Sequence, residues 1–164
     1  MKVCILMGSD SDWPILRPAA DFLESVGVET EVAVASAHRT PDKVHNIVTT
    51  ASERGVNLFI AAAGAAAHLA GVVASLTTLP VIGVPINATP LNGMDALLSM
   101  VQMPSGIPVG VMAVNGAKNA GIFAAQILSI NSSELQSKLL KQREKMVDEV
   151  EAKAAKVSAM INDK

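Results

Sequence analysis

Short apolar runs alternate with longer segments of helical spacing along most of the chain, and this alternation limits the possible folds more than any other feature. Each run is apolar on both faces, as a parallel sheet covered by helices requires. The repeated order of strand and helix predicts an α/β fold of three layers, with a doubly wound parallel sheet of about five strands. The runs cover residues 2–7, 28–34, 57–62, 80–84 and 109–114.

Composition is consistent with one large core and excludes several classes of protein. The 164 residues carry 50% hydrophobic side chains and no linker or repeat, so we expect a single domain over residues 1–164. A net charge of -2 without a basic cluster argues against a nucleic-acid partner. The apolar stretch 58–79 is interrupted by Gly64 and His68, which argues against a membrane span. The N-terminus lacks the features of a secretory signal and Cys4 has no second cysteine to pair with, so we expect a cytoplasmic protein.

Polar or glycine-containing segments follow the first three predicted strands directly. They read GSDSD at 8–12, SAHRTP at 36–41 and AGAAAH at 63–68. A fourth segment, 85–92, follows the next strand. Because ligands of open α/β sheets bind outside the carboxyl ends of the strands, we expect these loops to form one site.

The first loop has the features of an anion site. Gly8 permits a sharp turn, Ser9 and Ser11 supply hydroxyls, and the following helix start offers free backbone N–H groups that favour a phosphate. Asp12 would repel a phosphate, so it is expected to cap the helix or to accept hydrogen bonds from sugar hydroxyls. A turn with a helix cap and no ligand remains an equal alternative.

The second loop places a histidine beside an arginine. Thr40 and Pro41 are typical of an N-cap and first helical position, which leaves His38 and Arg39 in the loop. Arg39 can bind a phosphate or carboxylate through two hydrogen bonds. The alternative is a structural histidine beside a surface ion pair.

The third loop is nearly free of large side chains. Gly64 and the neighbouring alanines would let a ligand approach the backbone, and His68 is expected where the next helix starts. Alternatively, this is a tightly packed helix with His68 bonded to a carbonyl. His45 is expected to be solvated. The histidines lack zinc-site spacing, and neither a Walker loop nor a G-x-G-x-x-G fingerprint occurs, so we expect no metal, ATP or NAD site.

Further motifs follow the three loops in a fixed order. The full set reads MGSDSDW at 7–13, SAHRTP at 36–41, AGAAAHLAG at 63–71, GVP at 83–85 and QMPSGIPVG at 102–110, followed by NAG at 119–121 and AAQIL at 124–128. Together these motifs resemble the N5-carboxyaminoimidazole ribonucleotide mutase family of purine biosynthesis, whose fold is flavodoxin-like. The resemblance covers nearly all of the chain before the last helix.

The resemblance implies a carboxylate transfer from an exocyclic nitrogen to a ring carbon of an aminoimidazole ribonucleotide, without ATP, metal or organic cofactor. The implied steps are decarboxylation in a closed pocket and attack of the ring carbon on the carbon dioxide. His38 matches the family's acid and base, a role suited to histidine. Asp12 is expected at the ribose and Arg39 at the phosphate. The implied substrate-binding residues are Ser9, Asp12, Ser36, Ala37, Arg39, Gly64, His68 and Leu69.

The third loop departs from the family pattern A-G-A-G-G-A-A-H-L-P-G at Ala62, Ala65 and Ala70. If position 65 requires a positive φ, Ala65 costs roughly 1 kcal/mol or shifts the loop. The loop otherwise resembles the class that uses the carboxylated nitrogen compound rather than free carbon dioxide.

The last segment, about 132–161, is predicted to be a long amphipathic helix. Ser133 and Gln136 form a capping-box pattern. The helix either folds back on its own domain or packs on a neighbouring subunit, and the resemblance implies a homo-octamer. Its apolar stripe contains Leu135, Leu139, Met146, Val150, Val157 and Ile161.

Two other functions remain open. A nucleotide-binding or sensor module would use the phosphate loop but would not need His38. A structural assembly subunit would use the long helix and none of the three loops.

Overall fold

The protein contains a five-stranded parallel sheet, seen in a computed structural model that describes residues 1–162. The last two residues of the domain expected over 1–164 lie outside the described residues. The strand order is β2-β1-β3-β4-β5, which is the flavodoxin-like order, so the predicted fold class is confirmed. The strands are β1 (Lys2–Met7), β2 (Glu29–Val34), β3 (Val56–Gly64), β4 (Val81–Ile86) and β5 (Gly110–Val111).

The first four strands lie within two residues of their predicted bounds, but β5 is much shorter than the run 109–114. Only Gly110 and Val111 pair regularly with β4. The chain then stays beside β4 through single hydrogen bonds, including one from Met112 N to Gly83 O at 2.9 Å. β5 is an edge strand, and its apolar residues continue beyond the regular ladder.

Helices cover both faces of the sheet. The face that carries Val3, Ile5 and Met7 packs against α1 and α5, and the face that carries Cys4 and Leu6 packs against α2, α3 and α4. Burial on both faces explains why the strand sequences are continuously apolar. The helices are α1 (Trp13–Ser25), α2 (Pro41–Thr49), α3 (Leu69–Leu76), α4 (Met94–Val101), α5 (Ala117–Ser129) and α6 (Ser133–Asn162).

Small residues bring α1 and α5 into direct backbone contact. A Cβ added to Gly121 would lie 2.8 Å from the carbonyl oxygen of Ala19 and 3.0 Å from its Cα. The core has few aromatic side chains, since these make up 2% of the chain. Because glycine and alanine let the two helices approach closely, the core is tightly packed without large side chains between them.

An ion pair fastens the edge strand β2 to the segment before β3. Arg54 Nη2 lies 2.9 Å from Glu31 Oε1, and Arg54 Nε donates to the Glu31 carboxylate as well. Cys4 is fully buried beside this pair. Burial, with the neighbouring Glu31 charge, raises the pKa of the Cys4 thiol to about 12, so the thiol is protonated and unreactive.

The long helix α6 begins at Ser133, but its cap differs from the prediction. Ser132, rather than Ser133, is the capping residue, because its Oγ accepts a hydrogen bond from Leu135 N at 3.3 Å. Leu135 is 2% exposed and lies in the core of its own domain, with Leu139 packed against it. The rest of the stripe is exposed: Met146, Val150, Val157 and Ile161. The helix therefore folds back at its start and leaves its later turns uncovered.

None of the helices described within residues 1–162 combines the length and apolar character needed to cross a membrane. The apolar stretch 58–79 is divided between β3 and α3.

Candidate active site

The loops after β1, β2, β3 and β4 meet at the carboxyl edge of the sheet, as predicted. They enclose a cavity of about 340 Å³. A phosphorylated sugar and a small ring would fit a cleft of this size class. The lining residues are Gly8, Ser9, Ser11, Asp12, Ser36, Ala37, His38, Arg39, Ala63, Gly64, Ala65, Ala66, Leu69 and Ala88.

The first loop presents a cluster of hydroxyls at a short 3-10 turn, Asp10–Asp12. Ser9 caps this turn, since its Oγ accepts from Ser11 N at 3.3 Å and lies 2.8 Å from Ser11 Oγ. Gly8 does not have a positive φ, and a Cβ on it would meet nothing within 4 Å. Its role is therefore to leave space in the cavity rather than to permit an unusual turn.

Asp12 occupies the N-cap position of α1, but its side chain makes no capping hydrogen bond. The residue is only 7% exposed. Burial raises the pKa of the Asp12 carboxyl above its usual range, while donors on the Ser9 backbone and the Ser11 side chain act in the opposite direction. Asp12 was expected either to cap the helix or to accept hydrogen bonds from sugar hydroxyls, and its side chain does not cap the helix.

The second loop is a closed turn that holds His38 and Arg39. Thr40 N donates to Ser36 O at 2.9 Å, and Ser36 N donates to Thr40 Oγ1 at 2.9 Å. Arg39 N donates to Ser36 Oγ at 3.2 Å. Thr40 is the N-cap residue of α2 and Pro41 its first residue, as predicted, but the Thr40 hydroxyl bonds to Ser36 and not to the helix. Ser36 thus shapes the loop as well as lining the cavity.

Arg39 is the cation of the cavity lining. Its side chain is exposed, and Nη2 donates to Gly8 O at 3.2 Å. The guanidinium therefore bridges the first and second loops. Arg39 makes no ion pair within residues 1–162, so the alternative of a surface ion pair is not observed. An anion placed between these two loops would contact both the Arg39 guanidinium and the Ser9 hydroxyl.

His38 faces the other histidine of the site. His38 Nε2 lies 2.9 Å from His68 Nδ1, with the rings edge to face at 80°. One of these two nitrogens must donate and the other accept, so the two rings are joined by one hydrogen bond whichever ring carries the hydrogen. His68 is the N-cap residue of α3, as predicted, and it bonds to a ring rather than to a carbonyl. Both rings are exposed. The His38 ring is therefore accessible to a molecule bound in the cavity.

The third loop is shaped by two backbone features. A Cβ on Gly64 would lie 2.6 Å from the Ala88 Cβ, so glycine is required for the β4 loop to approach. Ala65 has a φ of 53°, in the left-handed region. The condition considered for position 65 is therefore met, and the alanine occupies a conformation that favours glycine.

The cavity brings together all but one of the residues expected to bind substrate; His68 is the exception, and it reaches the site through His38. Ala88 was not among the predicted residues. It lies in the segment 85–92 that was expected to reach the site, but a single alanine carries no chemical signal. Within residues 1–162, no group of three or more His, Cys, Asp or Glu side chains is placed to hold a metal ion.

Comparisons with known proteins agree in one family. The sequence model of AIR carboxylase matches residues 2–149. The chain is 51% identical over 156 residues to the N5-carboxyaminoimidazole ribonucleotide mutase of Thermotoga maritima, covering 95% of this chain and 91% of the relative. It is 56% identical over 145 residues to the protein of the same name from Pyrococcus abyssi, covering 88% and 83%. The crystal structure of Treponema denticola PurE is similar with a TM-score of 0.83 and 28% identity, covering 94% of this chain and 97% of that chain.

Proposed function

The chain belongs to the AIR carboxylase family, and we propose that it is an isomerase that converts N5-carboxyaminoimidazole ribonucleotide into 4-carboxy-5-aminoimidazole ribonucleotide in purine biosynthesis. The observation that carries the proposal is the cavity itself, in which His38 lies beside a hydroxyl turn and an arginine at one sheet edge. The names of the two mutase relatives support the same reaction.

His38 is proposed as the acid and base of the reaction. It gives a proton to the exocyclic nitrogen as the bond from that nitrogen to the carboxylate carbon breaks. The ring carbon then attacks the carbon dioxide, and His38 removes the proton that this carbon loses. The proton returns to its starting point, so His38 needs no net exchange with solvent. His68, 2.9 Å away, is the partner that orients the His38 ring before substrate arrives.

The polar residues bind the ribonucleotide in this proposal. The phosphate lies between the Ser9 turn and Arg39, where the hydroxyls of Ser9 and Ser11 and the Arg39 guanidinium are close together at the cavity. Asp12 accepts hydrogen bonds from the ribose hydroxyls. Ser36 and Ala37 border the second loop in the cavity.

The apolar wall confines the intermediate. Gly64, Leu69 and the neighbouring alanines line the cavity on the side of the third loop. Carbon dioxide has no charge and accepts only weak hydrogen bonds, so a wall of methyl groups and main chain can hold it near the ring without competing water.

The reaction is tested by following conversion of the substrate by absorbance, without ATP and with a chelator present. Wild type is expected to convert it, and His38→Asn is expected to lose roughly 100-fold or more in rate. His45→Asn is the matched control, because His45 is exposed on α2 and away from the cavity.

Each outcome of this assay indicates a different function for the protein. An inactive, folded wild type would contradict the mutase; turnover of aminoimidazole ribonucleotide with bicarbonate would then indicate a carboxylase, and binding alone a sensor module. Full activity of His38→Asn would contradict the role of His38.

We further propose that the chain acts as one domain that assembles into a homo-octamer, in the cytoplasm where its soluble substrate would be made. The uncovered side chains of α6 and an exposed stripe on α4, with Met94, Leu98 and Val101, support assembly. Sedimentation should give eight chains per particle, and cell fractionation should find the protein with soluble enzymes.

Val150→Glu tests the role of α6 in assembly. Val150 is 60% exposed on the apolar stripe, and a buried charge there would weaken association. Asp148 lies about half a turn away on the polar side of the helix, so Asp148→Lys is the matched control. A monomeric wild type, or equal loss in both variants, would contradict the proposed contact.

A further inference from the structure

The loop between β4 and α4, residues 87–93, forms one wall of the cavity. Ala88 is the residue that it contributes to the lining. Because a Cβ on Gly64 would lie 2.6 Å from the Ala88 Cβ, this loop rests directly on the end of β3. A small displacement of the loop would therefore widen the cavity beside the third loop. Within residues 1–162, no hydrogen bond from His38, Arg39 or Ser9 holds the loop against such a displacement.

Asn115, in the loop after β5, holds the first residues of this wall. Its Oδ1 accepts a hydrogen bond from Asn87 N at 3.0 Å. Its own backbone N donates to Pro85 O at 2.8 Å. Asn115 has a φ of 58°, a left-handed conformation that asparagine adopts more readily than most residues with a Cβ. Asn115 thus bonds to β4 through its backbone and to the first residue of the loop through its side chain.

The other end of the wall meets the residue before Asn115. Gly93 has a φ of 83°, and a Cβ there would lie 2.5 Å from Val114 Cγ1. Within the loop, Thr89 Oγ1 donates to Asp95 Oδ2 at 2.8 Å, which ties the middle to α4. The loop is therefore held at both ends by the chain after β5, and the Asn115 side chain supplies the hydrogen bond next to Ala88.

We infer that Asn115 is a positioning residue for the reaction, which keeps Ala88 against Gly64 so that carbon dioxide stays beside the substrate ring. The inference rests on the proposed function. After the carbon–nitrogen bond breaks and the nitrogen takes its proton, the cavity holds carbon dioxide and aminoimidazole ribonucleotide. If the wall yields before the new carbon–carbon bond forms, both molecules escape and the turnover ends in decarboxylation.

The experiment compares three substitutions in the full chain. Asn115→Gly keeps the left-handed backbone and removes the amide oxygen, whereas Asn115→Asp keeps an acceptor oxygen. Asn92→Gly is the matched control, because Asn92 also has a positive φ, 53°, and its side chain makes no hydrogen bond within residues 1–162.

Asn115→Gly is expected to lower kcat about tenfold with KM within about twofold, as for loss of one hydrogen bond that matters during the reaction. It should also release decarboxylated product above the rate without enzyme. Asn115→Asp should recover most of both losses, and Asn92→Gly should match wild type. Wild-type kcat and product ratio in Asn115→Gly, or equal losses in the Gly and Asp variants, would overturn the inference.

Amide hydrogen exchange separates this inference from the proposed function. If wild type does not convert the substrate, the proposed function fails, together with the confinement of carbon dioxide. The hold on the loop is still decided by the exchange rate of the amides from Asn87 to Leu91. Faster exchange in Asn115→Gly than in Asn92→Gly supports the hold exerted by Asn115, and equal exchange overturns it.

Discussion

At the scale of single residues, the strained backbone positions lie around the candidate site. Among residues 1–162, the non-glycine residues with a positive φ are Ala65, Asn92 and Asn115. Asparagine tolerates this region, but alanine has no polar side chain to compensate. Ala65 lines the cavity, so strain at this position is retained at the site that the chain is proposed to use.

Ala65→Gly is predicted to stabilise the protein by about 1 kcal/mol, because glycine adopts a positive φ without steric cost. The matched control is Ala66→Gly, since Ala66 is the exposed next residue and has no positive φ. The control should lose stability through the greater freedom of glycine in the unfolded chain. Urea unfolding measures both changes, and equal losses in the two variants would contradict the prediction.

Asp12→Asn is predicted to raise stability at neutral pH. Burial raises the pKa of Asp12 in the folded protein, so the folded state holds this proton more tightly than the unfolded chain does. The Asp12 carboxyl therefore contributes favourably to the free energy of unfolding at low pH, and this contribution is lost as the pH rises through the pKa that the group has in the folded protein. Thermal unfolding of the variant and wild type should therefore differ at pH 7 and converge below about pH 4.

Glu24→Gln is the control for this pH dependence, because Glu24 is exposed on α1 and its charge does not contribute to the shift of the Asp12 pKa, whereas the charge of Asp10 does. Asp12→Asn should also weaken substrate binding by roughly tenfold or more, as for a lost hydrogen bond to a charged group. A stability difference between Asp12→Asn and wild type that does not change with pH would contradict the assignment to Asp12.

At the scale of helices and strands, the contact between α1 and α5 is a sensitive point of the core. Gly121→Ala would place a methyl group against the Ala19 backbone, which cannot move aside as a flexible side chain can. We predict a loss of about 1–3 kcal/mol, typical of overpacking, despite the better helix propensity of alanine.

Gly71→Ala is the matched control for this helix contact. Gly71 lies in α3, and a Cβ there would meet only the end of the Met103 side chain, at 3.1 Å. Methionine can adjust, so the control should be near neutral in urea unfolding. A Gly121→Ala protein as stable as the control would contradict close packing of the two helices.

The elements differed in how far the sequence could predict them. The start of α2 was predictable because Thr40 and Pro41 carry a local signal, and β1 because its run is bounded by polar residues. The end of β5 was not, since regular pairing depends on β4 rather than on the residues of β5. Ser132 was missed as the cap of α6 because Ser133 next to it fits the same pattern.

The site was predictable wherever polar side chains followed a strand. His38, Arg39 and Ser9 stood out by their chemistry, and the parallel topology placed their loops at one edge. The contact between His38 and His68 could not be predicted, because it depends on the relative heights of two loops. Ala88 lines the site because Gly64 has no side chain and lets Ala88 approach. No pattern in the sequence predicts this contact.

At the scale of the whole molecule, Cys4 is a built-in reporter of unfolding. It is the only cysteine of the chain, it is fully buried, and its pKa of about 12 leaves little thiolate. We predict that a thiol reagent labels native protein only at the rate set by global unfolding. The denaturant dependence of labelling should match that of urea unfolding.

Ser52→Cys is the control for labelling, because Ser52 is exposed and the new thiol should react at once. Slow labelling of this thiol would show that the reagent, and not burial, limits the reaction. Labelling of Cys4 with a weak denaturant dependence would instead show that β2 opens locally despite the pair formed by Glu31 and Arg54.

The strand order also sets the order in which the site can be built during synthesis. β1 pairs with both β2 and β3, and all three strands emerge early, since the hydroxyl turn, the His38 loop and His68 lie within the first 76 residues, which end with α3. A ribosome releases this part before β4 and Ala88 have emerged, and chains commonly begin to fold from the N-terminal end. The growing chain can therefore assemble its polar half-site while the cavity is still open on one side. The wall that is proposed to retain carbon dioxide is completed last, after the Asn115 segment has left the ribosome.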